Sequence, residues 1–133
     1  MIGIDHIGIA VKDLKDASNI YERLLGKPSY KTEQVAAEQV TTAFFACGES
    51  KLELLESTNE DSAISRFIAK RGEGIHHIAF EVKDIQKEIA RLKGEGFDFV
   101  SEDPKPGADN KLVCFLHPRK TKGVLIELCQ EIP

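Results

Sequence analysis

The 133-residue sequence has no tryptophan, one methionine, two tyrosines and three cysteines. Cys47, Cys114 and Cys129 form neither a C-x-x-C pair nor an even disulfide set, which excludes a disulfide scaffold and a soft thiolate metal site. Each lies in an apolar strand pattern, so all three are expected to be reduced, buried and inessential. No apolar run approaches the roughly 18 residues needed to span a bilayer. The start, Met-Ile-Gly-Ile-Asp-His, lacks the charged-then-apolar order of a signal peptide. A cytoplasmic protein without a membrane partner is expected. Excess positive charge is missing too: 18 basic against 22 acidic residues give a net charge of −4, and no run is basic enough to track a phosphate backbone. Nucleic acid is therefore not an expected partner. Apolar residues at 41% and charged residues at 30% describe an ordinary globular chain, long enough to bury a core without a staple.

The most informative feature is a repeat. Residues 4–13, I-D-H-I-G-I-A-V-K-D, match residues 75–84, I-H-H-I-A-F-E-V-K-D, at six of ten positions with an offset of 71. Each copy reads as a strand followed by a helix. After Asp13 the apolar residues Leu14, Ala17, Ile20, Leu24 and Leu25 recur at helical spacing, and after Asp84 so do Ile85, Ile89 and Leu92. Asp13 and Asp84 are candidate N-caps. Gly26 and Gly94 stand where each helix is expected to end.

Residues 43–47 and 51–55 predict a hairpin joined through Gly48-Glu49-Ser50. In the second half, 112–116 and 124–129 are its counterpart, joined across 118–123. Weaker strand patterns cover 34–42 and 97–100. Between the halves, Ser62 predicts the cap of a short linker helix with Ile64, Phe67 and Ile68 on one face. The chain thus reads as a single α+β domain of two modules, about 1–56 and 75–133, with a helical linker at about 57–74.

The repeat singles out His6 and His77 on the two first strands, and Glu53 and Glu127 in the matching last strands, L-E-L and I-E-L. On an alternating strand each glutamate points away from its apolar neighbours. Alone, either one reads as a solvated polar residue. Four such residues recurring in register read as a metal set, and mixed imidazole and carboxylate ligation suits a hard or borderline divalent ion such as Co, Ni, Mn, Fe or Zn. Four protein ligands leave adjacent positions of an octahedron free for two oxygens of a substrate. His76 and His77 point to opposite faces, so only one can join the set. His117, at the end of F-L-H-P, either reaches the site or caps a turn.

Paired strand–helix–strand modules carrying H…E…H…E resemble the vicinal oxygen chelate superfamily. Within it, the segments D-H-I-G-I-A-V, G-I-H-H-I-A and F-L-H-P followed by G-V-L-I-E-L are similar to the methylmalonyl-CoA epimerases. The resemblance implies βαβββ twice, forming a half-open barrel around a metal, within a homodimer. It implies ligation by His6, His77 and Glu127, with Glu53 standing where some epimerases carry glutamine. A divalent cation follows, cobalt foremost, with manganese, nickel or zinc as alternatives. The implied reaction interconverts (2R)- and (2S)-methylmalonyl-CoA by 1,1-proton transfer through an enolate. Glu127 and Glu53 are the implied catalytic carboxylates, and His117 is assigned to the acyl-CoA substrate. A further glutamate in some epimerases, a proposed second base, matches Thr42 here.

Three other readings compete, one of them another metal-dependent member of the superfamily, such as a thiol transferase with three protein ligands or a dioxygenase with a two-His, one-carboxylate iron site. Glyoxalase I shares the ligand pattern, but its usual arginine after the first histidine is absent from Ile7-Gly8-Ile9-Ala10-Val11. A metal-free small-molecule binding protein would keep the fold without a functioning ligand set.

Overall fold

The computed structural model describes residues 1–133, and no helix in it is long and apolar enough to cross a membrane. The chain divides into two compact units, His6–His76 and Met1–Asp5 with His77–Pro133. Both boundaries fall inside strands, β1 (Gly3–Ala10) and β5 (Gly74–Glu81).

The His6–His76 unit continues from β1 into α1 (Leu14–Leu25), β2 (Lys31–Val35), β3 (Val40–Cys47), β4 (Ser50–Ser57) and α2 (Ala63–Arg71). Its strands lie in the order β2-β3-β4-β1. β1 runs parallel to β4, while β3 is antiparallel to β2 and β4. The Asp13 carboxylate caps α1 by accepting from the Asp16 N–H, and Gly26 ends it in the left-handed conformation at φ 79°. Ala17 is buried with Ile9, Ala43, Phe45 and Leu54, and Leu14, Tyr21 and Leu25 pack on that cluster. Ile20 and Leu24, expected on this face, are instead exposed. The reason is geometric: Leu14, Ala17, Tyr21 and Leu25 follow i, i+3, i+7 and i+11 in one narrow stripe, and Ile20 and Leu24 fall to its side. Ser62 caps α2 as expected, accepting from the Ser65 N–H, with Ile64 buried.

The other unit carries β5, α3 (Ile85–Gly94), β6 (Lys105–Pro106), β7 (Lys111–Leu116) and β8 (Ile126–Glu131), with strands in the order β5-β8-β7-β6. Asp84 caps α3, accepting from the Lys87 N–H. Ile85, Ile89 and Leu92 bury as expected, against Val82, Cys114, Leu116 and Leu128. Chain order therefore gives βαβββ twice.

Several boundaries depart from expectation. Gly94 is the last residue of α3 rather than the residue beyond it, and the chain turns at Gly96, φ 94°. Residues 34–42 are not one strand: β2 ends at Val35, a 3₁₀ turn occupies Ala36–Glu38, and β3 starts at Val40. Residues 97–100 contribute one bridge, Phe99 to Leu116. Ser50 opens β4 instead of lying in the turn, and Val124 and Leu125 precede β8. Cys114 and Cys129 are buried, but Cys47 is exposed, because it sits at the last position of β3 opposite Ser50 at the hairpin end.

Candidate metal and proton-transfer site

Strand alternation puts two different surfaces on each sheet. In the His6–His76 unit, Ile7, Ile9, Leu52 and Leu54 face α1, so His6 and Glu53 take the opposite face. Glu53 is only 3% exposed and His6 5%, which rules out a solvated surface glutamate. His6 Nδ1 lies 3.1 Å from Glu53 Oε2. In the other unit Ile126 and Leu128 pack towards α3, and Glu127, 5% exposed, and His77, 6% exposed, take the opposite face. There His77 Nε2 is 3.3 Å from Glu127 Oε1.

The two pairs occupy equivalent registers. Gly8 stands beside Glu53 on the neighbouring strand, and Ala79, 71 positions later, stands beside Glu127. Across the antiparallel ladder Phe44 faces Glu53 and Phe115 faces Glu127. His77 meets Phe115 edge-on, with ring centroids 5.9 Å apart. Phe44 is fully buried, with Lys31 Nζ 4.6 Å from its ring centroid. The sequence reading missed this aromatic pair, although Phe44 and Phe115 share the 71-residue offset of the repeat.

Each unit therefore holds a carboxylate and an imidazole together in an apolar setting. Burying ionisable groups this way is costly unless a compensating charge is present, and an imidazole with a carboxylate is a ligand combination that suits a hard or borderline divalent cation. Burial pushes the Cys114 thiol up to about 12, with the Glu127 charge adding to the effect, and Cys129 Sγ, which donates to the Phe80 carbonyl, lies in a buried group with Asp5 and His6 whose ligand atoms are within 4.8 Å of one another.

The remaining residues divide clearly. His76 packs edge-on against Phe67, 5.0 Å between centroids, and burial lowers its pKa to about 4, so it is neutral near pH 7. His117 caps the 3₁₀ turn Pro118–Lys120, its Nδ1 accepting from the Arg119 N–H. Thr42 shares the face of Phe44 and Glu53, is fully buried, and has an unbonded hydroxyl. It offers no ionisable group there. Two charged features had gone unseen in sequence. Lys111 Nζ donates to Asp5 Oδ1 at 2.6 Å with both side chains 7% exposed. Glu38, in the turn between β2 and β3, has its pKa raised by burial, an effect opposed by His6 and reinforced by Glu33.

The family model for the glyoxalase/bleomycin resistance protein/dioxygenase superfamily matches residues 5–115. The chain belongs to that superfamily. The ethylmalonyl-CoA/methylmalonyl-CoA epimerase of Cereibacter sphaeroides is 41% identical over 98% of this chain and 99% of its own. Human mitochondrial methylmalonyl-CoA epimerase is 38% identical over 96% of this chain and 73% of its own. A Streptomyces coelicolor methylmalonyl-CoA epimerase variant, solved with 2-nitronate-propionyl-CoA, superposes with a TM-score of 0.91 at 36% identity, covering 98% of this chain and 95% of that one. The superfamily member's fold is the vicinal oxygen chelate fold expected from the paired modules.

Proposed function

We propose that this superfamily member is a metal-dependent methylmalonyl-CoA epimerase, an isomerase that interconverts the (2R) and (2S) thioesters by 1,1-proton transfer. The observation that carries the reading is the buried His–Glu pair recurring at the same register in each unit, in a chain 41% identical to a named epimerase across nearly its whole length. His6, Glu53, His77 and Glu127 would hold one divalent cation, cobalt foremost, which would supply the positive charge that favours the enolate oxygen over the neutral thioester carbonyl. A nitronate, the group carried by the ligand of the Streptomyces relative, is a planar anion of the same kind as an enolate.

The chain's own residues supply the rest. Phe44 and Phe115 wall the two glutamates with apolar surface, which lowers the local dielectric and strengthens charge interactions. Glu127 accepts the proton from the α-carbon as a positioned carboxylate base. His117, at the start of the loop before β8, is assigned to the acyl-CoA substrate. A cytoplasmic homodimer belongs to the same reading, and the exposed apolar strip Met1, Ile2 and Ile4 is the kind of surface a second copy would cover.

The test is direct. Protein loaded with cobalt, incubated with (2R)-methylmalonyl-CoA in deuterated buffer, should exchange the α-proton and produce the (2S) epimer, both followed by NMR. Retention of the proton and of configuration with stoichiometric metal bound would overturn the epimerase assignment. Failure to bind metal at all would favour a binding protein.

A further inference from the structure

A ligating side chain presents its donor atom only as well as its backbone is fixed, and groups that never touch the ion therefore tune how tightly it is held. His6 has a particular need of such support. The pairing of β1 with β4 begins at His6, opposite Lys51, and runs on to Ala10, so His6 is the end residue of that ladder. The residue before it, Asp5, belongs to the other compact unit. There Asp5 Oδ1 accepts from Lys111 Nζ at 2.6 Å, with both side chains buried.

We infer that Lys111 is a positioning residue for the metal centre: by holding Asp5 it fixes the peptide bond that carries His6, and with it the direction in which the imidazole presents its ligand nitrogen. The assignment rests on the proposed metal site and deepens it.

Lys111 is itself a fixed point. It opens β7, paired with Glu131 of β8, and its carbonyl accepts from the Gly107 N–H at 2.8 Å. Alternation puts its side chain on the face of Val113 and Phe115. That face packs with Ala79 and Cys129 and, through the register of Phe115 with Glu127, carries the His77–Glu127 pair. In such apolar surroundings an ion pair is a poor device for stability, because two charges must give up their water to meet, and well-packed apolar side chains of similar volume serve as well or better. What the charges add is direction. A charge-assisted hydrogen bond restrains both distance and angle, whereas the hydrophobic effect is non-directional. A lysine and an aspartate buried next to a ligand histidine are thus accounted for by placement, which apolar burial would not supply.

The experiment titrates cobalt into the full-length protein by calorimetry and records the visible absorption of the bound ion, which reports coordination geometry. Lys111→Met should weaken cobalt binding about 10–100-fold, the usual effect of removing an outer partner of a metal ligand. Because that variant also leaves the Asp5 charge unpaired, the decisive one combines Lys111→Met with Asp5→Leu. There the urea midpoint should return towards wild type while cobalt affinity stays about 10-fold or more below it and the visible bands remain shifted. Ile89→Ala, which opens a cavity in the core under α3, should lose stability yet hold cobalt as wild type does. A double variant with wild-type affinity and spectrum overturns the positioning role. So does an Ile89→Ala variant weakened as much as Lys111→Met, since metal affinity would then merely follow stability. Wild-type protein that binds no cobalt overturns the metal reading itself, and this assignment with it.

Discussion

Glu127 Oε1 stands 3.3 Å from His77 Nε2, with each side chain only 6% exposed. Both groups are largely withdrawn from bulk solvent, so screening is weak and removing the carboxylate's charge is felt by its neighbours. Glu127→Gln keeps an oxygen donor and the side chain's size but loses charge and basicity. The variant should bind cobalt more weakly by calorimetry and turn over about 10²-fold more slowly even at saturating metal. Full recovery of rate with excess metal would make Glu127 a ligand only, and near-normal turnover at low metal would remove it from the site.

The buried pair Lys111–Asp5, at 2.6 Å, should behave asymmetrically. Breaking such a pair leaves an uncompensated charge in an apolar interior, at a cost of roughly 3–5 kcal/mol. Lys111→Met alone should therefore lower the urea midpoint strongly, and Lys111→Met combined with Asp5→Leu should regain most of it. Additive losses in the double variant would show that the pair is not what holds these residues.

His76 sets a pH dependence whose sign is fixed. Burial lowers its pKa from the ordinary 6.5 to about 4 in the folded chain, so between those values the unfolded chain binds the extra proton. Its contribution to stability is fully present above pH 6.5 and is lost as pH falls towards 4. His76→Phe should show a shallower decline of urea midpoint from pH 7 to pH 4.5 than wild type. Superimposable profiles would assign the acid sensitivity to other groups.

The cysteines should separate by exposure. Cys47 is exposed and Cys114 and Cys129 are buried, and burial pushes the Cys114 thiol to about 12, far from a reactive thiolate. A thiol reagent at pH 8 should label one cysteine per folded chain, and three in denaturant. Labelling of Cys114 in the native protein would contradict the buried placement.

What the sequence revealed and what it concealed divide along one physical line. His6, Glu53, His77 and Glu127 were legible because each interrupts an apolar alternation at a repeated position, and alternation fixes which face a side chain takes. The caps Asp13, Ser62 and Asp84 were legible because capping is local. Glu38 was not, since it lies on a turn where no periodicity constrains direction, and its surroundings come from residues distant along the chain. Lys111 was likewise hidden: its partner Asp5 is 106 positions away, and no short-range signal marks a lysine for burial. Ile20 and Leu24 misled because an apolar residue near a helical stripe need not be in it.

The unit boundary between Asp5 and His6 decides whether either copy of the repeat could have an independent life. A cut in the linker after Arg71 would give two peptides, each with a complete βαβββ sequence. The C-terminal peptide would nevertheless lack Ile2, whose N–H donates to the Glu81 carbonyl at 2.8 Å, and Asp5, the counter-charge to Lys111. It would lose both of these contacts. Five residues at the start of the chain thus make the second copy of the repeat depend on the first: a half-length protein of this pattern would need another chain to lend it the same strip.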